Sequence, residues 1–257
     1  MNLLPHDPQS NADILTDVQV AAFEVDGFVT IDQLADADEV ASWRDGYDEL
    51  FARAGGFADN DRIDLAPAGE RAVLPQIVNP ERYLPQLVGG RAYANARTVA
   101  RQLLGDDVVA MGNHAINKPG GDGAPTPWHQ DEAYWDQRFD HQAISIWIPL
   151  QAVAESNGCM VFVPGSHHGE VLPHRLIHPD SHGLQLVDGD EPPGAVACPL
   201  SAGGATVHAG RTLHYAGPNR TSEARRAVVF AFARPARPRP EPHDYRWQRT
   251  EWYSSDS

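Results

Sequence analysis

The chain has 257 residues, with 35 acidic against 20 basic side chains and a formal net charge of −15. That length accommodates one large domain with a buried core, and the acidity argues against nucleic acid and anionic membranes as partners. Two cysteines cannot build a disulfide framework, which points to a reducing compartment. Lys118 is the only lysine among the 20 basic residues, a bias typical of GC-rich coding, so the acidity carries little functional weight by itself. Met1 to Asp13 lacks a basic segment followed by an apolar core. The most apolar stretch, 144–154, is interrupted by Pro149 and Gln151 and is about half a membrane span long. The expectation is a soluble cytoplasmic protein, monomeric or homodimeric.

Thr16-Asp17-Val18-Gln19 fits a capping box, and the helix it opens ends at Gly27. Phe28 to Ile31 reads as a short strand. From Asp36, the positions of Val40, Trp43, Tyr47, Leu50 and Phe51 predict a second helix closed by Gly55-Gly56. Residues 57–76 have no period and predict a loop, and Pro80 to Gly105 reads as a third helical region. From Val108 onward the texture changes. Apolar runs at 108–118, 143–150, 159–163, 195–199, 205–208, 212–215 and 227–233 alternate with Gly/Pro turns, the pattern of a sandwich or barrel. Residues 175–194, with His178, His182 and the acidic cluster from Asp188 to Glu191, read as an insertion or lid loop, and 235–242 as an extended surface tail. The fold class is mainly β with flanking α-helices. One domain is expected over 1–257, with a helical part (1–107) packed on a β core (108–235) and the tail extended.

The densest chemistry lies in Pro127-Trp128-His129-Gln130-Asp131. In an extended chain residues i and i+2 share a face, so His129 and Asp131 present an imidazole nitrogen and a carboxylate oxygen side by side. By itself the triplet reads equally as a surface histidine beside a solvated acid. A second imidazole from a late strand would complete a 2-His-1-carboxylate triad, which suits non-haem Fe(II) and leaves coordination positions open. His208 and His214 compete for that place; spacing to Arg225 at the start of the last strand favours His214 and leaves His208 in the core or behind the ligands. A guanidinium at 225 can grip the distal carboxylate of a dicarboxylate that chelates the metal at its other end. Arg226 should face the opposite side of that strand, and Cys159 and Cys198 read as buried small hydrophobes.

His129-Gln130-Asp131, the stretch from Asn157 to His167 (NGCMVFVPGSH), and His214, Asn219 and Arg225-Arg226 in this order resemble the phytanoyl-CoA dioxygenase family of Fe(II)/2-oxoglutarate-dependent oxygenases. Asn117-Lys118-Pro119 also fits, and the resemblance covers about residues 15 to 235. It implies a double-stranded β-helix, a cupin-like jelly roll, with His129, Asp131 and His214 as iron ligands and Arg225 as partner of the co-substrate's C5 carboxylate. It also implies Trp147 against 2-oxoglutarate, Trp135 at the substrate entrance and His114 in the co-substrate pocket. One departure matters: many members carry a serine that helps bind 2-oxoglutarate where Ala216 stands here. Halogenating relatives have a small residue at the position of Asp131, so halogenation is disfavoured.

The function implied is a dioxygenase that uses Fe(II), 2-oxoglutarate and O2 to oxidise a small molecule in bacterial natural-product (antibiotic) biosynthesis. The outcome is hydroxylation or related C–H chemistry such as cyclisation, epimerisation or orthoester formation. The alternatives are a metal-dependent cupin enzyme that does not use 2-oxoglutarate and a non-catalytic jelly-roll binding protein. Glu132, Asp136 and Asp140 after the metal motif form either a solvated face or an acidic mouth suited to a polycationic substrate.

Overall fold

The structure, a computed structural model, describes residues 13–58, 61–64, 72–121, 123–178, 183–189 and 191–249. The N-terminal residues before Asp13 and His182 of the expected lid lie outside them. Helix α1 (Asp17–Asp26) opens as its sequence dictates. Gln19 N–H donates to Thr16 Oγ1 at 3.3 Å, Thr16 N–H donates to the Gln19 side chain at 3.0 Å, and Gly27 closes the helix at φ 80°. Strand β1 (Phe28–Ile31) follows, then α2 (Ala37–Ala52), capped by Asp36 and burying Val40, Trp43, Tyr47 and Leu50. The stretch expected to be a loop contains two short strands, β2 (Arg62–Ile63) and β3 (Gln76–Val78). They exist only as an extension of a sheet edge, a long-range pairing that has no local signature. The region expected to be helical from Pro80 is two 3-10 turns (Pro80–Arg82 and Pro85–Leu87) before α3 (Arg91–Leu104). Pro85 has no N–H to donate and keeps Leu84 out of the α region, at φ −138° and ψ 72°, so the helix starts beyond it.

The remaining strands are β4 (Val109–Lys118), β5 (Thr126–His129), β6 (Phe139–Asp140), β7 (Ala143–Pro149), β8 (Met160–Phe162), β9 (His174–Leu176), β10 (Leu184–Leu186), β11 (Val196–Cys198), β12 (Ala205–Ala209), β13 (His214–Ala216), β14 (Arg225–Ala233) and β15 (Arg237–Pro238). They form a seven-stranded sheet in the order β1-β12-β7-β14-β4-β3-β2 and a four-stranded sheet in the order β11-β8-β13-β5. The period of two along β14 explains the layers. Val228, Phe230 and Phe232 face outward into the core shared with Trp43, Tyr47, Leu50 and Val99 of α2 and α3, while Ala227 turns inward with Trp147 against Met160, Phe162 and Ala216 of the smaller sheet. Arg226, on the outward face, pairs with Asp48 of α2 through Nε and Nη2 at 2.5 and 2.9 Å. Tyr47 Oη lies 2.9 and 2.6 Å from the carbonyls of Ile116 and Ala227 and pins α2 to the sheet.

Two findings refine the sequence reading near the cavity mouth. The expected lid contains a hairpin, β9 with β10. The C-terminal tail is exposed over 235–242, apart from a short pairing of β15 with β6, but then folds back. Tyr245 and Trp247 are buried, and Trp247 Nε1 and Gln248 Nε2 both donate to the Ala133 carbonyl at 2.9 Å. The tail thereby clamps the 3-10 turn Asp131–Tyr134. Among the described residues no helix is long and apolar enough to cross a membrane.

Candidate active site

All seven residues singled out from the sequence line one cavity of 430 Å³ between the two sheets. His129 ends β5 and His214 begins β13, and the two are paired across the antiparallel ladder with ring centroids 4.1 Å apart. Asp131 opens the turn that follows β5. Gln130 between them faces the other way, where its Nε2 donates to the Arg211 carbonyl at 2.8 Å and its Oε1 accepts from Leu172 N–H at 2.8 Å. The alternation of an extended chain therefore holds through the motif.

Each histidine is held in one tautomer. His129 Nδ1–H donates to the Pro127 carbonyl at 2.8 Å and His214 Nδ1–H to the Thr212 carbonyl at 2.8 Å, so both Nε2 lone pairs are directed inward. Those Nε2 atoms lie 3.7 and 3.6 Å from Asp131 Oδ1, and one ligand atom from each of the three residues falls within 4.8 Å of the others. Burial depresses both imidazole pKa values, aided in His214 by the adjacent His129 and His208, which keeps the nitrogens unprotonated and able to bind metal. Burial alone would raise the Asp131 carboxyl, but His214, His208 and His129 around it outweigh that and hold it below the ordinary carboxylate range. His208 is not in the triad. Its Nε2 lies 3.3 Å from Asp131 Oδ2, the oxygen turned away from the other two histidines.

At the other end of the cavity the logic reverses. Arg225 is 1% exposed, its Cζ sits 5.2 Å from the Trp147 ring, and its Nε and Nη1 have no partner. Among the described residues no carboxylate pairs with it. Burial lowers its pKa only to about 10, so it is a buried cation at neutral pH. Register pairs it with Lys118, which is fully buried and donates from Nζ to the carbonyls of Ala216 and Gly217 at 3.1 and 2.5 Å. Burial, then Arg225, depresses the Lys118 ammonium well below its usual range. A buried guanidinium with orphaned donors and no counter-charge is costly unless an anion completes it, and a dicarboxylate fits that demand. Asn219 helps build this end, donating from Nδ2 to the carbonyls of Lys118, Pro119 and Glu223 at 3.1, 3.1 and 2.8 Å.

Ala216, where a serine was expected, pairs with Thr126 across the ladder. The register shifts between His214 and Ala216, so that four residues of β5 (126–129) oppose three of β13 (214–216). That bulge brings Thr126 back to the cavity side, and it lines the wall there. His114 lines the opposite wall from β4, in register with Val229 and through it with Trp147. Trp135 borders the cavity while resting on Gly210, where an added Cβ would approach its ring carbons to 2.3 Å.

The acidic-mouth expectation is not met. Glu132 is buried and bidentate with Arg211 at 2.7 and 2.8 Å, Asp136 pairs with Arg138, and Asp140 pairs with Arg239; none of the three lines the cavity. Arg211 and Arg239, distant in sequence, neutralise Glu132 and Asp140, while Arg138, two residues on, neutralises Asp136. Sequence reasoning also passed over Ser145, whose Oγ donates to Asp131 Oδ2 at 2.7 Å. A serine inside an apolar strand was its only signal.

Residues 23–227 match the family model described as phytanoyl-CoA dioxygenase. The crystal structure of EvdO2 from Micromonospora carbonacea var. aurantiaca complexed with 2-oxoglutarate superposes with a TM-score of 0.80 at 41% identity, over 91% of this chain and 96% of that one. The peroxisomal phytanoyl-CoA dioxygenase of Rattus norvegicus is 27% identical over 252 residues, covering 88% of this chain and 71% of its own. The non-heme alpha ketoglutarate dependent epimerase SnoN from nogalamycin biosynthesis is 25% identical with a TM-score of 0.66, over 87% of this chain and 85% of that one. The jelly-roll fold read from the sequence is the fold these relatives share.

Proposed function

The chain belongs to the phytanoyl-CoA dioxygenase family and is an Fe(II)/2-oxoglutarate-dependent dioxygenase, and from that premise we propose that it oxidises a C–H bond of a secondary metabolite in natural-product biosynthesis. His129, Asp131 and His214 hold the iron, and Arg225 holds the distal carboxylate of 2-oxoglutarate. The observation that carries this reading is the coexistence, in one cavity, of three converging ligand atoms and a buried guanidinium with two unpartnered nitrogens. Iron bound there supplies a site where 2-oxoglutarate and O2 meet, coupling decarboxylation to succinate with a two-electron oxidation of the substrate.

The protein's share of the work is orientation. The carbonyls of Pro127 and Thr212 fix the two imidazoles, and Trp147 forms a flat wall beside the guanidinium. Lys118, in register with Arg225, holds the Ala216 and Gly217 carbonyls at that end, and Thr126 supplies a hydroxyl opposite Ala216. The substrate enters on the side walled by Tyr134, Trp135, Ile177 and Leu184, with His114 on the facing strand. Met111, Ile116, Val229 and Leu184 make that space largely apolar, and it admits a small molecule rather than a polymer. The helical part and the barrel act as one catalytic unit, since the sheet that carries Arg225 is also the sheet the helices cover. Where the substrate's reacting carbon rests decides between hydroxylation and ring closure or epimerisation. SnoN, named as an epimerase, supports that breadth within the fold.

The test is a screen of candidate metabolites for substrate-stimulated succinate formation, repeated with Asp131→Ala and His214→Ala. Both variants are expected to lose 2-oxoglutarate turnover. Normal succinate production by either one sinks the ligand assignment, and substrate turnover without 2-oxoglutarate favours a cupin enzyme of another class.

A further inference from the structure

We propose that Ser145 and His208 are positioning residues that together hold Asp131 to a single ligating oxygen. This rests on the reading of His129, Asp131 and His214 as the metal ligands. The two oxygens of Asp131 have different surroundings. Oδ1 faces the Nε2 atoms of His129 and His214 at 3.7 and 3.6 Å. Oδ2 is turned the other way, 2.7 Å from Ser145 Oγ, which donates to it, and 3.3 Å from His208 Nε2. One face of the carboxylate is directed at the triad, while the other accepts from the Ser145 hydroxyl and has beside it the His208 ring, neither of whose nitrogens has a hydrogen-bond partner among the described residues.

The arrangement is built into the sheet. His208 on β12 and Ser145 on β7 are direct register partners, so both side chains project from the same row toward the smaller sheet. Both are buried, at 2% and 7% exposure, and the His208 ring is packed between Phe162 and His214 with centroids at 5.2 and 4.4 Å. His208 Nε2 has no hydrogen-bond partner among the described residues, and Asp131 Oδ2 is an acceptor 3.3 Å from it. A serine hydroxyl in an otherwise apolar strand, matched to a histidine on the next strand, is expensive to bury unless both serve the same acceptor.

The chemical consequence concerns how many positions remain at the metal. A carboxylate can bind through one oxygen or two. Bound through two, it would take a place that a chelating 2-oxo acid and O2 require together. The Ser145 hydroxyl on Oδ2, with the His208 ring nitrogen beside it, stabilises the one-oxygen mode and holds the carboxylate plane in the orientation that points Oδ1 at the histidines. This also settles the competition between the two late histidines in physical terms: His214 faces the same carboxylate oxygen as His129, and His208 faces the opposite one.

The experiment is an anaerobic titration of the apo-protein with Fe(II), followed by 2-oxoglutarate, for wild type, Ser145→Ala, His208→Leu, His208→Gln and the double variant. The readouts are Fe(II) affinity, stoichiometry and the visible charge-transfer absorption of the Fe(II)–2-oxoglutarate complex, none of which depends on turnover or on knowing the substrate. Each of Ser145→Ala and His208→Leu is expected to keep one Fe(II) per chain but weaken its binding ~10–100-fold, the usual effect of removing a group that orients a ligand. The 2-oxoglutarate absorption should weaken or shift, because Asp131 then competes for the second position. The double variant should lose less than the sum of the singles, since both groups act on one oxygen. His208→Gln, which keeps an N–H donor, should recover part of the loss. Ser145→Ala removes only a hydroxyl, so it remains decisive even where His208→Leu does not fold. Fe(II) binding and charge-transfer absorption that match wild type in both single variants overturn the proposal. Complete loss of metal binding in His208→Leu, equal to that in His214→Ala, overturns it too, because His208 is then itself a ligand. A wild-type protein that takes up no Fe(II) at all removes the underlying functional reading, an outcome plainly different from variants that behave like wild type.

Discussion

The two ends of the cavity are organised on opposite principles. At the metal end the ligands themselves are supported: both Nδ1 atoms donate to carbonyls, and Asp131 Oδ2 accepts from Ser145, with the His208 ring, unpartnered among the described residues, beside it. At the other end, proposed as the anchor, Arg225 is left with two unpartnered nitrogens and, among the described residues, no carboxylate. The first arrangement directs lone pairs toward one point and suits a cation; the second directs N–H groups into the cavity and suits an anion. What a site leaves unsatisfied identifies its ligand better than what it satisfies, because buried polar atoms rarely stay unpaired in the working molecule.

The ends also differ in what supports them. The anchor end sits on the long central strands β4, β7 and β14, whereas the metal end includes a short turn clamped by the C-terminal tail through Trp247 and Gln248. Trp247→Ala should therefore have the largest effect on stability. Losing a buried indole and its hydrogen bond is expected to cost about 3–5 kcal/mol, read as a lower midpoint in thermal or denaturant unfolding. Fe(II) affinity should fall with it while the 2-oxoglutarate anchor remains intact. Equal damage to both ligands would erase the distinction.

Arg225→Gln probes the other end. Its expected effect is a rise in the KM for 2-oxoglutarate of roughly a hundredfold, corresponding to about 3 kcal/mol for a buried charge pair, with Fe(II) affinity unchanged. The apo-variant should be no less stable than wild type, because the guanidinium has no counter-charge among the described residues to lose. A marked loss of apo stability would show that Arg225 is structural instead.

The metal end carries a liability at acidic pH. His174 Nδ1–H donates to the Leu172 carbonyl at 2.7 Å, while its Nε2 accepts the Gln130 N–H at 3.2 Å, so both nitrogens are committed to the neutral ring. Burial accordingly lowers its pKa from 6.5 to about 4. Because folding depresses this value, the unfolded chain binds the extra proton more readily. Stability from this group is complete above pH 6.5 and is lost as pH falls toward 4, by on the order of 2 kcal/mol. Comparing apo wild type with His174→Gln isolates the contribution, and parallel pH profiles would refute it. The smallest effect is expected from Tyr47→Phe. Removing the hydroxyl leaves the Ile116 and Ala227 carbonyls without their donor and should cost ~1–2 kcal/mol of stability, measured by urea unfolding.

Much of this was legible in the chain because the signals are local. The capping box at Thr16, the apolar spacing of α2, the alternation that sets His129 and Asp131 on one side and Gln130 on the other, and the opposed faces of Arg225 and Arg226 each depend on a few neighbouring residues. Strands β2 and β3 were not legible, since they exist only by long-range pairing, β3 onto β4 and β2 onto β3, and the helix expected from Pro80 ignored what Pro85 does to the backbone. For the acidic residues after the metal motif the sequence left open a solvated face or a substrate-facing mouth, and neither reading foresaw that Arg211, Arg138 and Arg239 pair with them.

The sequence by itself determined the donor types and their order along the chain, since metal and carboxylate chemistry demand imidazole, carboxylate and guanidinium groups whatever surrounds them. Tertiary structure decided which oxygen of Asp131 faces which histidine, that Ser145 meets His208, and that Lys118 lies beside Arg225. Those choices are made by strand register, a long-range property in which a shift of one residue turns every side chain to the other face.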